Sequence, residues 1–234
     1  MTLRMAAKRL LLPRGPHPRL LRGLGHGIVI DVDFKSQTRI FLGLYERELR
    51  RDVVAFCRPG FKCADVGAGI GYHSLVFARL TSSRVLAFEC DEHAHGQLTR
   101  NLGLNPDLAQ RIEVLRLRIG RRSDPREGVV SLDDAVRRHF DPDFVKIDTD
   151  GTEVDVIQGA VELLKRRRPH LIVETHSSDL ERQCDGLLRR LGYRPRIVDQ
   201  AKLLPDYRPL DHNRWLVAEG MPGGRVPGST ERRV

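Results

Sequence analysis

Short apolar runs alternate with stretches of helical spacing between about residue 61 and residue 191 of this chain. The runs are typical of buried strands, and the stretches repeat apolar residues about every three to four positions. They predict strands at Phe61–Val66, Arg84–Phe88, Ile112–Leu117, Phe144–Ile147 and Leu171–Val173. They predict helices at Tyr72–Leu80, Glu92–Leu102, Ser131–Phe140, Val154–Lys165 and Ser178–Leu191. Such alternation indicates parallel strands joined by right-handed crossovers, with helices on both faces of the sheet.

The end of the chain breaks this alternation. Arg194–Val198 and Arg214–Ala218 look like two strands with no helix between them, which is typical of an antiparallel pair. A further helix is predicted at Tyr45–Phe56, ahead of the first strand. The prediction is therefore an α/β fold with a mostly parallel, seven-stranded sheet, an antiparallel edge hairpin and helices on both faces.

Three segments of the chain differ in composition. Residues 1–40 are predicted to form a basic N-terminal extension, and residues 41–218 to form the folded domain. Residues 219–234 lack any apolar period and are predicted to be disordered. Lys8 and Arg9 interrupt the early apolar residues, so no signal peptide is predicted.

Apolar run length and cysteine usage indicate a cytoplasmic protein. No apolar run approaches the roughly 18 residues that a membrane span requires. The cysteines show neither a CxxC pair nor a metal-like spacing, and they are Cys57, Cys63, Cys90 and Cys184. We therefore expect a reducing compartment.

A net charge of +9 raises the question of a nucleic-acid partner. The excess is almost all arginine and is spread along the chain, and only 6% of the residues are aromatic. Few side chains are therefore available for stacking on bases, and we predict no nucleic-acid partner. The densest basic cluster, interpreted as a solvated face, comprises Arg116, Arg118, Arg121, Arg122 and Arg126.

The most informative segment is a glycine-rich turn with the sequence ADVGAGIGYHS, at Ala64–Ser74. Gly67, Gly69 and Gly71 let the backbone bend sharply and approach a ligand at the start of a helix. The turn lacks the lysine of a phosphate-binding loop, and its GxGxG spacing differs from the GxGxxG of dinucleotide sites. Asp65 fits the ammonium group of S-adenosylmethionine (SAM) better than a pyrophosphate. A dinucleotide site remains an alternative.

A second acid stands at the end of the second predicted strand. Glu89, in LAFECDE, can accept hydrogen bonds from both hydroxyl groups of a ribose. Enzymes that bind NAD and enzymes that bind SAM both place an acid here. Glu89 therefore indicates a nucleoside cofactor without choosing between the two.

Three longer segments carry a family resemblance. They are LGLYERE at Leu42–Glu48, FECDEHAHGQLTRNLGLN at Phe88–Asn105, and FVKIDTDGTEVDVIQGAVELLKRRRPHLIVETH at Phe144–His176. Together with the glycine turn they resemble the FkbM family of methyltransferases. The third segment is the most specific, because ordinary methyltransferases rarely have it. The resemblance implies a Rossmann-like class I methyltransferase fold and SAM-dependent O-methylation of a sugar, glycolipid or specialised metabolite.

The resemblance also implies roles for particular positions. It assigns SAM binding to Asp65, Gly67, Gly69, Gly71 and Glu89. Asp148, Gly151 and Glu153 fall in the signature that follows the fourth strand. The family usually has glutamate where this chain has Asp150, and the shorter carboxylate puts any role of this position in doubt.

Transfer of a methyl group to a hydroxyl requires a group that removes the hydroxyl proton. Ligands of open α/β sheets lie beyond the carboxyl ends of the strands. Asp148 follows the fourth predicted strand, and Glu174 and His176 follow the fifth. We predict that the general base is one of these three residues and leave their order open. Carboxylates here could also gather Mg²⁺ or Mn²⁺, but no metal site is predicted.

Two other functions remain as alternatives. The arginine content is also compatible with an RNA methyltransferase, although no appended RNA-binding module is apparent. A SAM-binding subunit without catalytic activity is the other alternative. Asp65, Glu89 and Asp148 together favour an enzyme with a small-molecule or glycan acceptor.

Overall fold

The computed structural model describes residues 17–33, 37–124, 126–200 and 212–222. Residues 1–16 of the predicted extension and 223–234 of the predicted tail lie outside the described residues. The strands are β1 (His17–Leu20), β2 (Val29–Val32), β3 (Cys63–Val66), β4 (Val85–Phe88), β5 (Ile112–Leu115), β6 (Arg118–Gly120), β7 (Val129–Ser131), β8 (Phe144–Ile147), β9 (His170–Thr175), β10 (Arg196–Asp199) and β11 (Arg214–Ala218).

The helices follow the strands in the predicted alternation. They are α1 (Thr38–Phe41), α2 (Arg50–Phe56), α3 (Tyr72–Thr81), α4 (Glu92–Gly103), α5 (Pro106–Ala109), α6 (Leu132–Arg138), α7 (Glu153–Gln158), α8 (Val161–Arg166) and α9 (Ser178–Arg190). Ser131 caps α6 by accepting a hydrogen bond from the Asp134 backbone N–H. No helix in the described part of the chain is long and apolar enough to cross a membrane.

Seven of the strands form one sheet in the order β10-β11-β9-β8-β3-β4-β5. The neighbours from β9 to β5 run parallel, and β11 pairs antiparallel with both β9 and β10. The predicted α/β fold with its antiparallel edge hairpin is therefore confirmed. The reversal of strand order beside β3 places the crevice for a ligand beyond the carboxyl ends of β3 and β8.

The sheet separates two apolar clusters, because successive side chains of a strand point to opposite faces. Phe144 of β8 packs with Phe56 and Phe77 from α2 and α3 on one face. Val145 packs with side chains from α6 to α9, such as Ile157, on the other face. Both faces are covered, so the strands are apolar nearly throughout, as expected for a parallel sheet.

An N-terminal hairpin, β1 and β2, completes the first face and was not predicted from the sequence. Ile28, Ile30 and Val32 are fully buried and belong to the same apolar cluster as Phe77. The basic residues around this segment hid a short alternation of apolar and polar residues, IVIDV. The described part of the predicted extension is therefore packed onto the core.

Two asparagines attach this hairpin to the domain, Asn101 in α4 and Asn105 directly before α5. The Asn105 side chain accepts a hydrogen bond from Val29 N (2.9 Å) and donates one to Val29 O (2.5 Å). The Asn101 Oδ1 atom accepts from Asp31 N (2.8 Å), while its Nδ2 atom donates to Ile70 O (2.8 Å) in the glycine turn. The side-chain amides thus take the place of a neighbouring strand along the edge of β2.

The single helix predicted at Val154–Lys165 is wrong, because the structure has two helices there, α7 and α8. They meet at Gly159, where a Cβ atom would lie 2.1 Å from the carbonyl oxygen of Gly120. The Gly159 carbonyl accepts a hydrogen bond from Asp133 N (2.8 Å) instead of continuing the helical pattern. The Asp133 carboxylate then accepts from the first backbone N–H groups of α8, at Glu162 (3.0 Å) and Leu163 (2.8 Å).

Removal of the buried Ile30 side chain tests whether the hairpin stabilises the domain. We expect Ile30→Ala to lower the free energy of unfolding by about 2–4 kcal/mol, because it leaves a cavity in the core. Leu20→Ala is the control, since Leu20 is 56% exposed. The control should change stability by less than about 0.5 kcal/mol. Urea unfolding measures both, and equal effects would show that the hairpin does not belong to the cooperative core.

Candidate active site

Charged side chains interrupt the first apolar face of the sheet at the carboxyl ends of its central strands. Asp65 of β3 lies directly opposite Lys146 of β8, and Glu174 of β9 lies farther along the same face. All three are almost completely buried, with exposed fractions of 1%, 1% and 2%. Buried charges are stable only when they are paired, so this row of charged residues costs stability. A row kept at such a cost indicates a functional site.

The glycine turn lies against the segment that follows β8. Gly67 has a φ of +80°, and a Cβ atom on it would lie 1.7 Å from the carbonyl oxygen of Asp148. The Asp148 backbone N–H donates to Val66 O (2.9 Å), which locks the two segments together. Only glycine fits at this position. The predicted cofactor turn and the predicted catalytic segment are therefore direct neighbours.

Only one of the two carboxylate oxygens of Asp65 forms a hydrogen bond with the described residues. Its Oδ2 atom accepts a hydrogen bond from the Ser74 hydroxyl (2.6 Å), whereas Oδ1 is buried with no hydrogen-bond partner among the described residues. Burial raises the pKa of Asp65 to about 6, although Lys146 opposes this rise. A buried acceptor without a partner fits the ammonium group of SAM, as the sequence suggested.

Glu89 binds the glycine turn from the end of β4. Its Oε2 atom accepts a hydrogen bond from Gly69 N (2.7 Å), and its Oε1 atom accepts one from Asp91 N (2.8 Å). These bonds fix the carboxylate at the rim of the turn, where its remaining lone pairs suit ribose hydroxyl groups. Glu89 thus also shapes the turn, which the sequence did not indicate.

His176 is held from one side by Glu153. The His176 Nδ1 atom lies 3.2 Å from Glu153 Oε1, which also accepts from Gly151 N (2.9 Å) and Thr149 N (3.2 Å). The hydrogen bond to Glu153 is the main reason why the pKa of His176 is raised above its ordinary value. Glu153 is completely buried and orients both the loop and the imidazole ring.

The other ring nitrogen of His176 faces the carboxylates. His176 Nε2 lies 3.4 Å from Asp150 Oδ1, 3.7 Å from Asp148 Oδ1 and 3.8 Å from Glu174 Oε1, and it has no hydrogen-bond partner among the described residues. The structure therefore brings together Asp148, Glu174 and His176, the three residues predicted to include the base. Asp150 belongs to the same group although its side chain is 89% exposed.

Asp148 is paired with Lys146. The Lys146 Nζ atom lies 2.9 Å from Asp148 Oδ2, on the side of the carboxylate opposite to His176. Burial opposes ionisation of Asp148, but the Lys146 ammonium group overcomes this and lowers the pKa of Asp148 below its ordinary value. An ionised, ion-paired carboxylate is a weak proton acceptor.

Glu174 has the opposite electrostatic environment. Its Oε2 atom accepts a hydrogen bond from the Trp215 indole N–H (3.1 Å). Burial, with the nearby negative charges of Asp148 and Glu46, raises the pKa of Glu174 well above its ordinary value. The neighbouring acids Asp148 and Glu174 thus have pKa values displaced in opposite directions, a pattern typical of active sites.

Asp148, Glu174 and His176 each bring one potential ligand atom within 4.8 Å of the others. A divalent cation can bridge such a spacing. The ammonium group of Lys146 already balances the charge of Asp148 at 2.9 Å. Lys146 therefore supplies a positive charge on one side of this cluster.

Two buried residues of the site were missed in the sequence. Lys146 stands in the apolar strand FVKI, where a charged residue is the signal that could have been noticed. Glu46 is buried and adopts a left-handed φ of +43°, which is unusual for a residue other than glycine. Its Oε1 atom lies 3.9 Å from Lys146 Nζ, and its Oε2 atom lies 3.3 Å from His73 Nε2. His73 is therefore buried against Glu46 and does not face solvent.

The predicted basic cluster lies apart from these residues, around β6. Arg116 forms an ion pair with Glu92 (3.1 Å), and Arg118 with Glu127 (3.9 Å). All four side chains are more than half exposed. Exposed pairs of this kind contribute little to stability.

A family model matches the part of the chain that carries several of these residues. The methyltransferase FkbM domain model matches residues 119–195, which include Asp148, Glu153, Glu174 and His176. The predicted resemblance to the FkbM family is confirmed. The FkbM match covers the strands and helices that carry the candidate base. No curated protein matches the sequence.

Solved structures support the fold. The FkbM methyltransferase of Methylobacillus flagellatus KT is 20% identical, with a TM-score of 0.56, over 80% of this chain and 55% of that one. A SAM-dependent O-methyltransferase of Thermotoga maritima is 18% identical, with a TM-score of 0.55, over 78% and 67%. M. jannaschii TYW2, solved in complex with AdoMet, is 15% identical, with a TM-score of 0.54, over 89% and 86%. This chain spans about half the length of the FkbM structure. At these identities the likeness shows a SAM-methyltransferase fold.

The pKa of His176 should depend most strongly on Glu153 among its neighbouring carboxylates. We expect Glu153→Gln to lower it most, because the hydrogen bond to Glu153 is the main cause of the raised value. Asp148→Asn should lower it less, and Asp155→Asn, an exposed position of α7, should leave it unchanged. Titration of the histidine ring signals by NMR gives all four values. An unchanged pKa in the Glu153 variant would contradict the described orientation of the ring.

Proposed function

We propose that this protein transfers the methyl group of SAM to a hydroxyl group of a sugar, glycolipid or specialised metabolite, with His176 as the general base. The proposal rests mainly on the placement of His176. Its Nδ1 atom lies 3.2 Å from Glu153 Oε1, and its Nε2 atom has no hydrogen-bond partner among the described residues. A histidine that is oriented by a carboxylate at one nitrogen and has no hydrogen bond at the other is a common arrangement for proton abstraction.

The electrostatic surroundings of the three candidate bases differ, and they favour His176. Asp148 is paired with Lys146 and its pKa is lowered, so it holds a proton poorly. Burial, with the charges of Asp148 and Glu46, raises the pKa of Glu174 well above its ordinary value, which favours a role as hydrogen-bond donor over a role as base. His176 carries an imidazole, the side chain that ordinarily exchanges protons near neutrality, and its hydrogen bond to Glu153 raises its pKa above the ordinary value.

In the proposed reaction the chain contributes a base, a charge that stabilises the protonated base, and a residue that orients it. SAM supplies an electrophilic methyl group on its sulfonium sulfur. His176 Nε2 takes the proton of the acceptor hydroxyl while the oxygen forms its bond to the methyl carbon, and S-adenosylhomocysteine leaves. Asp148, 3.7 Å from His176 Nε2, stabilises the imidazolium that forms. Glu153 keeps the ring oriented through both states.

The proposed cofactor site joins the glycine turn to this group. The Asp65 Oδ1 atom would bind the ammonium group of SAM, and Glu89 would bind the ribose hydroxyl groups. Gly67, Gly69 and Gly71 would let the backbone approach the ligand, with φ values of +80°, +54° and +83°. The contact between Gly67 and Asp148 supports this arrangement, because it brings the proposed cofactor turn next to the segment that carries the candidate base residues. A cytoplasmic location remains part of this proposal.

Cofactor binding can be tested without knowing the acceptor. We expect S-adenosylhomocysteine to bind with a dissociation constant in the micromolar range, roughly −8 kcal/mol, in isothermal titration calorimetry. Asp65→Ala should weaken binding at least about tenfold because it removes a charged partner. Asp155→Ala, at an exposed position, should bind normally. Binding of NAD⁺ instead of S-adenosylhomocysteine would overturn the cofactor assignment.

Removal of the proposed base should abolish most of the methyl transfer. With radiolabelled SAM and a panel of hydroxylated acceptors, His176→Ala should lower kcat by about 10²–10⁴-fold. The exposed His93→Ala serves as control. Since the base works unprotonated, wild-type activity should fall as pH drops through the pKa of His176, and Glu153→Gln should move this fall to lower pH.

Two further outcomes of this assay would contradict the proposal. Loss of activity with EDTA and recovery with Mg²⁺ would make Asp148, Glu174 and His176 metal ligands. Transfer to transcribed RNA, without transfer to any small hydroxylated acceptor, would favour the RNA methyltransferase alternative.

A further inference from the structure

Lys146 occupies a central position among the buried carboxylates. Its side chain leaves β8 on the same sheet face as Asp65, which is its direct neighbour in register on β3. The Nζ atom lies 2.9 Å from Asp148 Oδ2 and 3.9 Å from Glu46 Oε1. Lys146 thus touches the proposed catalytic segment, the cofactor strand and the N-terminal segment at once.

The charges around Lys146 are unbalanced. Four nearby carboxylates are buried or mostly buried, and they are Glu46, Asp65, Asp148 and Glu174. Lys146 is the only lysine or arginine that is buried in the described part of the chain. Carboxylates in such surroundings become protonated unless a cation compensates for the lost hydration. The Lys146 ammonium group therefore has a large share in how many of the four stay ionised, together with the His176 ring, which lies 3.7 Å from Asp148 Oδ1 and 3.8 Å from Glu174 Oε1.

We propose that Lys146 is a positioning residue that keeps Asp65 in the ionised form required to bind the ammonium group of SAM. This inference rests on the proposed function, which makes Asp65 the partner of that ammonium group. Lys146 does not touch the cofactor in this account. It acts through Asp65. Because Lys146 also pairs with Asp148, the ionisation of the cofactor site depends on the ionisation of the methyl-transfer site.

The direction of the effect follows from the groups that face Asp65. Lys146 and the Ser74 hydroxyl favour its ionised form, whereas burial and the negative charges of Asp148, Glu89 and Glu46 oppose it. The balance gives a pKa of about 6. Removal of the ammonium group should raise this pKa, and removal of the Asp148 charge should lower it. The two changes have opposite signs although both break the same ion pair.

The test is the pH dependence of S-adenosylhomocysteine binding in isothermal titration calorimetry. In the wild type the affinity should fall as pH drops through about 6, the pKa of Asp65. In Lys146→Met the fall should begin at higher pH. The ratio of wild-type to variant affinity should then be at least about tenfold at pH 6 and approach one by about pH 8.5. Titration of the ligand's own amino group cancels in this ratio.

Four variants make the result specific. Asp148→Asn should move the fall to lower pH, and Lys146→Arg should restore a nearly wild-type profile. Lys165→Met, the same exchange at an exposed position, should have no effect. In an Asp65→Asn background, Lys146→Met should no longer change the pH profile. Near-ultraviolet circular dichroism of each variant shows whether it is folded.

Several results would overturn the inference. A loss of affinity in Lys146→Met that is equal at every pH would indicate a purely structural role. A shift in the same direction for Lys146→Met and Asp148→Asn would contradict the charge argument. Carboxyl ¹³C titration of the ligand-free protein measures the pKa of Asp65 directly, so it tests the inference even if the wild type fails to bind S-adenosylhomocysteine. Such a failure alone would instead contradict the proposed cofactor.

Discussion

The ammonium group of Lys146 lies among carboxylates on an otherwise apolar face of the sheet. Asp65 and Lys146 stand opposite each other on β3 and β8, and Glu174 follows on β9. A charge in this position is costly unless its partners are held in place, so the packing around it must be rigid. The apolar clusters on both faces of the sheet provide that rigidity, and the charged row in turn requires them to be complete.

The segments that surround this row come from distant parts of the chain. Glu46 precedes the first strand of the sheet, Asp148 follows β8, and Trp215 comes from the antiparallel edge. Gly67 allows the cofactor turn to touch Asp148, because any larger residue would collide with the carbonyl oxygen. The parallel order of the central strands gathers their carboxyl ends at one edge. The site is therefore complete only when all of these segments are in place.

Hydrophobic periodicity was sufficient to predict the sheet and most of its helices, because strands buried on both faces leave a continuous apolar signal. It also indicated the strand ends at which Asp148, Glu174 and His176 meet. It could not reveal why Lys146 is tolerated in an apolar strand, since its partners are remote in sequence. The break at Gly159 depends on the carbonyl of Gly120, and the N-terminal hairpin depends on Asn101 and Asn105, which are about 70 residues away along the chain. Contacts of this kind leave no local pattern.

Asn101 connects the N-terminal hairpin to the cofactor turn. One end of its amide group accepts from Asp31 in the hairpin, and the other donates to Ile70 in the cofactor turn. A backbone shift in either segment would therefore change the hydrogen bond that the same amide group makes with the other segment. A graft of the hairpin or of the turn alone into another protein would therefore leave one end of this amide group without its partner.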